Sequence, residues 1–152
     1  MIEYTHEQLA EAAQRSADAY AEIANKLMGC TLPVPVLLNF DLCNSKPKAA
    51  GMAVGTMVVS LNMVLFEENV EYILNDTIPH EIGHLIQYNK FDHLGAATQG
   101  HGAEWREILR RLGKTPHKHH SLDVTRAIAH FKNKKSTKAS GIKKSRSDTS
   151  VN

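Results

Sequence analysis

Between Thr5 and Met28 the apolar positions Leu9, Ala12, Ala13, Ala17, Tyr20, Ala24 and Leu27 recur at three- and four-residue spacing, the period of one helical face. Thr5 followed by Gln8 has the form of a capping box and Gly29 closes the run, so a helix covering one face of the core is expected. Pro33-Val34-Pro35 breaks the period, and the short β-prone run Val36–Phe40 reads as a strand. Asn44–Gly51 is rich in turn formers and lysines and reads as a loop. Met52–Leu65 alternates in part and carries Gly55-Thr56; it reads as two strands joined by a tight turn or a bulge.

From Phe66 to Phe91 the helical period returns in the stripe Val70, Ile73, Leu74, Thr77, Ile78, Ile82, Leu85 and Ile86. Pro79 interrupts it. Without an N–H to bond Asn75, it predicts either a kink or a new helix starting near Asp76 or Thr77. After a loop over 91–100, Glu104, Trp105, Ile108, Leu109 and Leu112 mark a shorter helix ended by Gly113. A His-rich loop over 115–121 and a last short helix over 122–131 complete the pattern. Helices with a few short strands predict an α+β fold.

Length changes little in this picture: 152 residues suit one domain with a tail, and 42% hydrophobic residues supply a sizeable core. No apolar run approaches the roughly 20 residues of a membrane-spanning helix. The acidic start Met1–Glu7 has no basic-then-apolar leader, so a cytoplasmic location is the expectation. Two cysteines, Cys30 and Cys43, are too few for a disulfide framework or a four-cysteine zinc site and are expected to be buried fillers.

Charge divides the chain more sharply. From 131 to 152 seven Lys and Arg stand against Asp148 alone, a net of +6, which leaves −4 for residues 1–130. The expected organisation is therefore a domain over 1–130 and a disordered basic tail over 131–152, because so few apolar residues cannot offset the entropy of ordering. Lys132, Lys134, Lys135, Lys143, Lys144 and Arg146 in that tail are candidate nucleic-acid contacts, with association with the nucleoid as a corollary. A solvated tail that only aids solubility is the competing reading.

His80-Glu81-Ile82-Gly83-His84 fits H-E-x-x-H and lies in the expected helix. Residues four apart share a helical face, so both imidazoles can reach one metal ion while Glu81 stands beside its open position. A zinc ion with three protein ligands keeps a place for water and lowers its pKa towards about 7; a neighbouring carboxylate then takes the proton. With nine histidines in the chain, the pattern would arise by chance only about 0.03 times. Gln87 and Lys90 occupy the positions where the metzincin form has its glycine and last histidine, which excludes that form. The third ligand is then His101, Glu104 or His93, and His101 between Gly100 and Gly102 has most room to approach a metal.

These residues, with His101-Gly102-Ala103-Glu104-Trp105 downstream, resemble the SprT-like zinc metalloprotease family, the domain of bacterial SprT proteins and of the eukaryotic protease Spartan. The likeness covers roughly residues 5–120. It implies a minimal zincin-like domain, helices packed on a small antiparallel sheet, with one Zn2+ on His80, His84 and His101 and Glu81 as catalytic acid/base. It also implies peptide-bond hydrolysis, in Spartan of proteins crosslinked to DNA. Many SprT-like proteins carry a C-terminal cysteine zinc ribbon; with no cysteine after Cys43, the chain is expected to lack it.

The remaining residues carry weaker expectations. Trp105 is expected to pack its helix on the core, and Gly83 to mark a close approach by a neighbouring element. Asp76 or Glu107 are candidate acceptors for a ligand's second ring nitrogen. Tyr88, Arg106 and the His117, His119, His120 group are candidate donors to an oxyanion, the last otherwise read as a solvated loop. A zinc metallopeptidase with a protein or peptide substrate, monomeric and off the membrane, is the leading reading. The alternative is a DNA-associated module with a purely structural zinc closed by His93 or Glu104.

Overall fold

A computed structural model describes residues 3–55, 57–91 and 100–135. Helix α1 (His6–Leu27) starts at Thr5, whose hydroxyl accepts from the Gln8 N–H at 3.0 Å while Gln8 Oε1 accepts from the Thr5 N–H at 2.9 Å. Both bonds of the expected capping box are made. The helix buries Leu9, Ala13, Ala17, Ala21 and Ala24, small side chains that let it lie close on the core. Leu27, expected on that stripe, is 70% exposed; Met28 takes the next buried position.

Three strands follow: β1 (Leu37–Asn39), β2 (Gly51–Val54) and β3 (Val58–Leu61). Their order is β1-β3-β2, with β2 antiparallel to β3 and β1 parallel to it. The sheet is thus mixed rather than wholly antiparallel. Alternation reveals a strand but not its partner, and β1 joins the far side of the β2–β3 hairpin. The hairpin connection passes through Gly55 at φ +61°. Val59 and Leu61 turn inward and are fully buried.

The second expected strand region ends earlier than its apolar residues suggest. Asn62 accepts from the Leu65 N–H at 3.1 Å and caps helix α2 (Met63–Glu68), which takes Met63–Leu65 out of the sheet. Helix α3 (Val70–Tyr72) runs through a π turn (Ile73–Thr77) into α4 (Ile78–Phe91). The Ile78 N–H reaches back to the Ile73 carbonyl. This wider turn, just before Pro79, accommodates the ring and the missing donor without ending the rod.

Helix α5 (Ala103–Arg111) starts after Gly102 and is followed by Gly113 at φ +80°. A last helix, α6 (125–135), runs five residues past the boundary expected at 130. Ala127 is fully buried, Ile128 and Phe131 are half-buried, and the lysines beyond are good helix formers. Among the described residues no helix is long and apolar enough to cross a membrane. Cys30 and Cys43 are buried and free, as expected of fillers. The core gathers Leu9, Phe66, Ile82, Leu85, Ile86 and Trp105 between α1, the sheet, α4 and α5.

Candidate metal centre

α4 carries His80 and His84 four residues apart, and the start of α5 brings His101 against them. His101 Nε2 lies 3.0 Å from His80 Nε2 and 3.2 Å from His84 Nε2. All three ligand atoms fall within 4.8 Å of one another. The approach of α5 depends on Gly83. A Cβ there would stand 2.5 Å from Leu109 Cδ2 and 3.0 Å from Trp105 Nε1, so the expected close approach is the α4–α5 contact.

Trp105 is fully buried directly behind the triad. Its ring centroid is 4.7 Å from that of His80, 5.6 Å from His84 and 4.8 Å from His101, and its Nε1–H donates to the His80 carbonyl at 3.2 Å. It packs its helix on the core, as expected, and forms the back wall of the site as well.

Glu81 is buried against strand β2. The Ala53 N–H donates to its Oε1 at 3.0 Å, and its Oε2 is 3.7 Å from His80 Nε2. Gly51 makes this possible, since a Cβ there would meet Thr77 Cγ2 at 2.8 Å and Glu81 Cγ at 3.1 Å. Burial pushes the Glu81 carboxyl up to about 8, against the opposing pull of the Ala53 bond.

The histidines are pushed the other way. Burial, then the neighbouring His84 and His101, lowers His80 to about 3, although a hydrogen bond between its ring and the main chain of His117 opposes this. Burial and His84, with His119, Lys118 and Arg106, lower His101 to about 4. His84 is lowered by burial, opposed by Gln87. The triad is therefore neutral near pH 7, with ring lone pairs free for a cation. Three imidazoles beside one carboxylate fit zinc chemistry.

Partners of the ring nitrogens differ from those expected. Gln87 Oε1 is 3.1 Å from His84 Nδ1, and His117 serves His80. The Asp76 carboxylate makes no hydrogen bond among the described residues, and Glu107 is exposed and paired with Arg110 and Arg111. Gln87 had a signal, three residues from His84 on one face; a main-chain carbonyl in a loop had none. Glu104 stays outside the triad and lines a separate cavity of about 380 Å³ with Met28 and Ile108. His93 lies outside the described residues, as do Lys143, Lys144 and Arg146. Lys132, Lys134 and Lys135 are exposed on α6.

The triad opens into a cleft of about 680 Å³ along β2, closed on one side by the segment between α5 and α6. The His-rich loop is thus part of the site's wall rather than a detached surface. His119 faces His101 at 6.2 Å between centroids, and His120 Nε2 is 2.7 Å from the Lys48 carbonyl. Tyr88 also lines the cleft; Arg106 does not, and its Nε–H donates to the His101 carbonyl at 3.3 Å.

The SprT-like family model matches residues 36–135, which include the triad, Glu81 and the described residues lining the cleft. The chain belongs to the SprT-like family. A protein SprT of Vibrio atlanticus (strain LGP32) is 33% identical over 105 residues, covering 68% of this chain and 58% of its own. Another, of Yersinia pseudotuberculosis serotype IB (strain PB1/+), is 30% identical over 108 residues, covering 71% and 59%. A third, of Pseudomonas savastanoi pv. phaseolicola, is 36% identical over 81 residues, covering 53% and 46%. The chain thus spans less than two thirds of the length of these SprT relatives. No solved structure matches it significantly.

Proposed function

We propose that this SprT-like chain is a zinc-dependent metalloendopeptidase in which His80, His84 and His101 hold one zinc ion and Glu81 is the general base. The observation that carries this reading is the convergence of three neutral imidazole nitrogens beside a buried carboxylate, with no fourth ligand among the described residues. A zinc ion there supplies a Lewis acid that polarises the substrate carbonyl and acidifies water. Glu81 takes the proton of the attacking water and returns it to the leaving amine, work suited to a carboxyl raised towards neutrality. The outer edge of β2 lines the cleft, so an extended substrate segment can pair along it and bring a carbonyl beside Glu81.

The substrates in this reading are DNA-associated or DNA-crosslinked proteins, in the cytoplasm. Support comes from the likeness to SprT and from the exposed Lys132, Lys134 and Lys135 on α6. Replacing these three lysines with alanine should weaken DNA binding and flatten its dependence on log salt by up to about 3.

The deciding experiment is the variant Glu81→Gln. It should retain about one zinc per chain by elemental analysis while peptide cleavage falls about 10²- to 10⁴-fold. A variant that cleaves as fast as the parent overturns the mechanism.

A further inference from the structure

Among the described residues that line the cleft, Asp76 is the one carboxylate other than Glu81. It sits in the π turn four residues before His80, next to Thr77, whose methyl lies against Gly51 of β2. It is half-buried, yet its carboxylate makes no hydrogen bond and no ion pair among the described residues. The cleft's own cations, Lys48 before β2 and Lys118 between α5 and α6, do not pair with it.

Tyr72 stands one turn earlier on the same rod and also lines the cleft. Burial, and secondly the charge of Asp76, push its phenol up, so the two groups are close enough to feel one another. An acidic group with an aromatic ring beside it, facing the space where an extended segment would lie along β2, matches what a cationic side chain needs. The carboxylate gives charge and hydrogen bonds, and the ring covers the aliphatic stem.

We propose that Asp76, with Tyr72 beside it, selects a lysine or arginine side chain in the protein segment held in the cleft. This rests on the cleft being a peptide-binding site, as in the proposed function, and it adds the chemistry of the residue recognised. The triad then fixes where cleavage occurs, and Asp76 fixes which segments dwell there.

The test uses the full chain loaded with zinc and a set of short unstructured peptides in which one lysine is walked through the positions flanking a central bond. Matched peptides carry norleucine or glutamate instead. Binding is read by fluorescence anisotropy on the Glu81→Gln background and cleavage on the parent, each as a lysine-to-norleucine ratio within one variant, so general losses cancel. At one position lysine should bind and be cleaved about tenfold better than norleucine. Asp76→Asn should bring that ratio to one, Asp76→Lys should shift the preference to glutamate, and Asp76→Glu should keep it. Circular dichroism and zinc content confirm that each variant folds.

A ratio unchanged in Asp76→Asn, or a parent that favours lysine nowhere, overturns the proposal even if cleavage proceeds. Lysine-selective binding that depends on Asp76 without cleavage by the parent supports it and overturns the peptidase reading instead. Peptides that bind no variant overturn both.

Discussion

His84 and Gln87 lie one turn apart on α4, with Gln87 Oε1 at 3.1 Å from His84 Nδ1. When the amide oxygen accepts, Nδ1 carries the proton and Nε2 keeps the lone pair that points to His80 and His101. Gln87 is itself 1% exposed, so its orientation is fixed by packing. Gln87→Leu should therefore weaken zinc binding about 10- to 100-fold while the chain stays folded. Competition against a chelator of known affinity measures this; an unchanged dissociation constant would show that Gln87 does not set the ring.

Trp105→Phe keeps an aromatic wall but removes the N–H that holds the His80 carbonyl. The carbonyl keeps its helical bond from the His84 N–H, so the loss is that of one additional hydrogen bond, about 0.5–1.5 kcal/mol. The urea midpoint should fall accordingly, and zinc should bind more weakly because the His80 backbone is no longer tied to α5.

Gly83→Ala sets two effects against each other. Alanine in a helix interior gains about 1 kcal/mol over glycine. The new methyl would meet Leu109 at 2.5 Å and the Trp105 indole at 3.0 Å, and overpacking of that kind costs about 1–3 kcal/mol. The net sign should be destabilising, with α5 pushed off α4. A variant that melts above the parent would mean the two helices separate without penalty.

The pH dependence of the metal-free protein follows from opposite shifts. His80, lowered to about 3, and His101, lowered to about 4, bind fewer protons folded than unfolded between those values and about 6.5. Their contribution is present above that window and is lost on acidification through it. Glu81, raised from 4.5 to about 8, keeps its proton when folded and loses it when unfolded, so stability declines as pH rises through that range. In the presence of a chelator, Glu81→Gln should melt higher than the parent at pH 8 and differ little at pH 4.5. Thermal melts across pH 4.5–9 decide it.

Much of this arrangement is legible in the residues alone. Helical spacing identifies α1, α4 and α5, and the motif puts His80 and His84 on one face, because a four-residue period is local. The third position stays open among His101, Glu104 and His93 on ligand chemistry alone. Pairing is not local, so β1 reads as a strand without revealing that it runs parallel to β3. Met63–Leu65 look like strand because apolar runs carry no sign of the Asn62 cap beyond one side chain. The Ala53 N–H on Glu81 and the His117 main chain on His80 are backbone groups, which every residue possesses and no sequence pattern marks.

The placement of Trp105 has a practical consequence. It is the single tryptophan in the chain, and its indole lies within ring contact of all three histidines. Its emission should respond to whatever the triad holds, whether protons or a cation. The protein thus carries a built-in optical reporter, and titration of the metal-free chain can be followed without label or substrate.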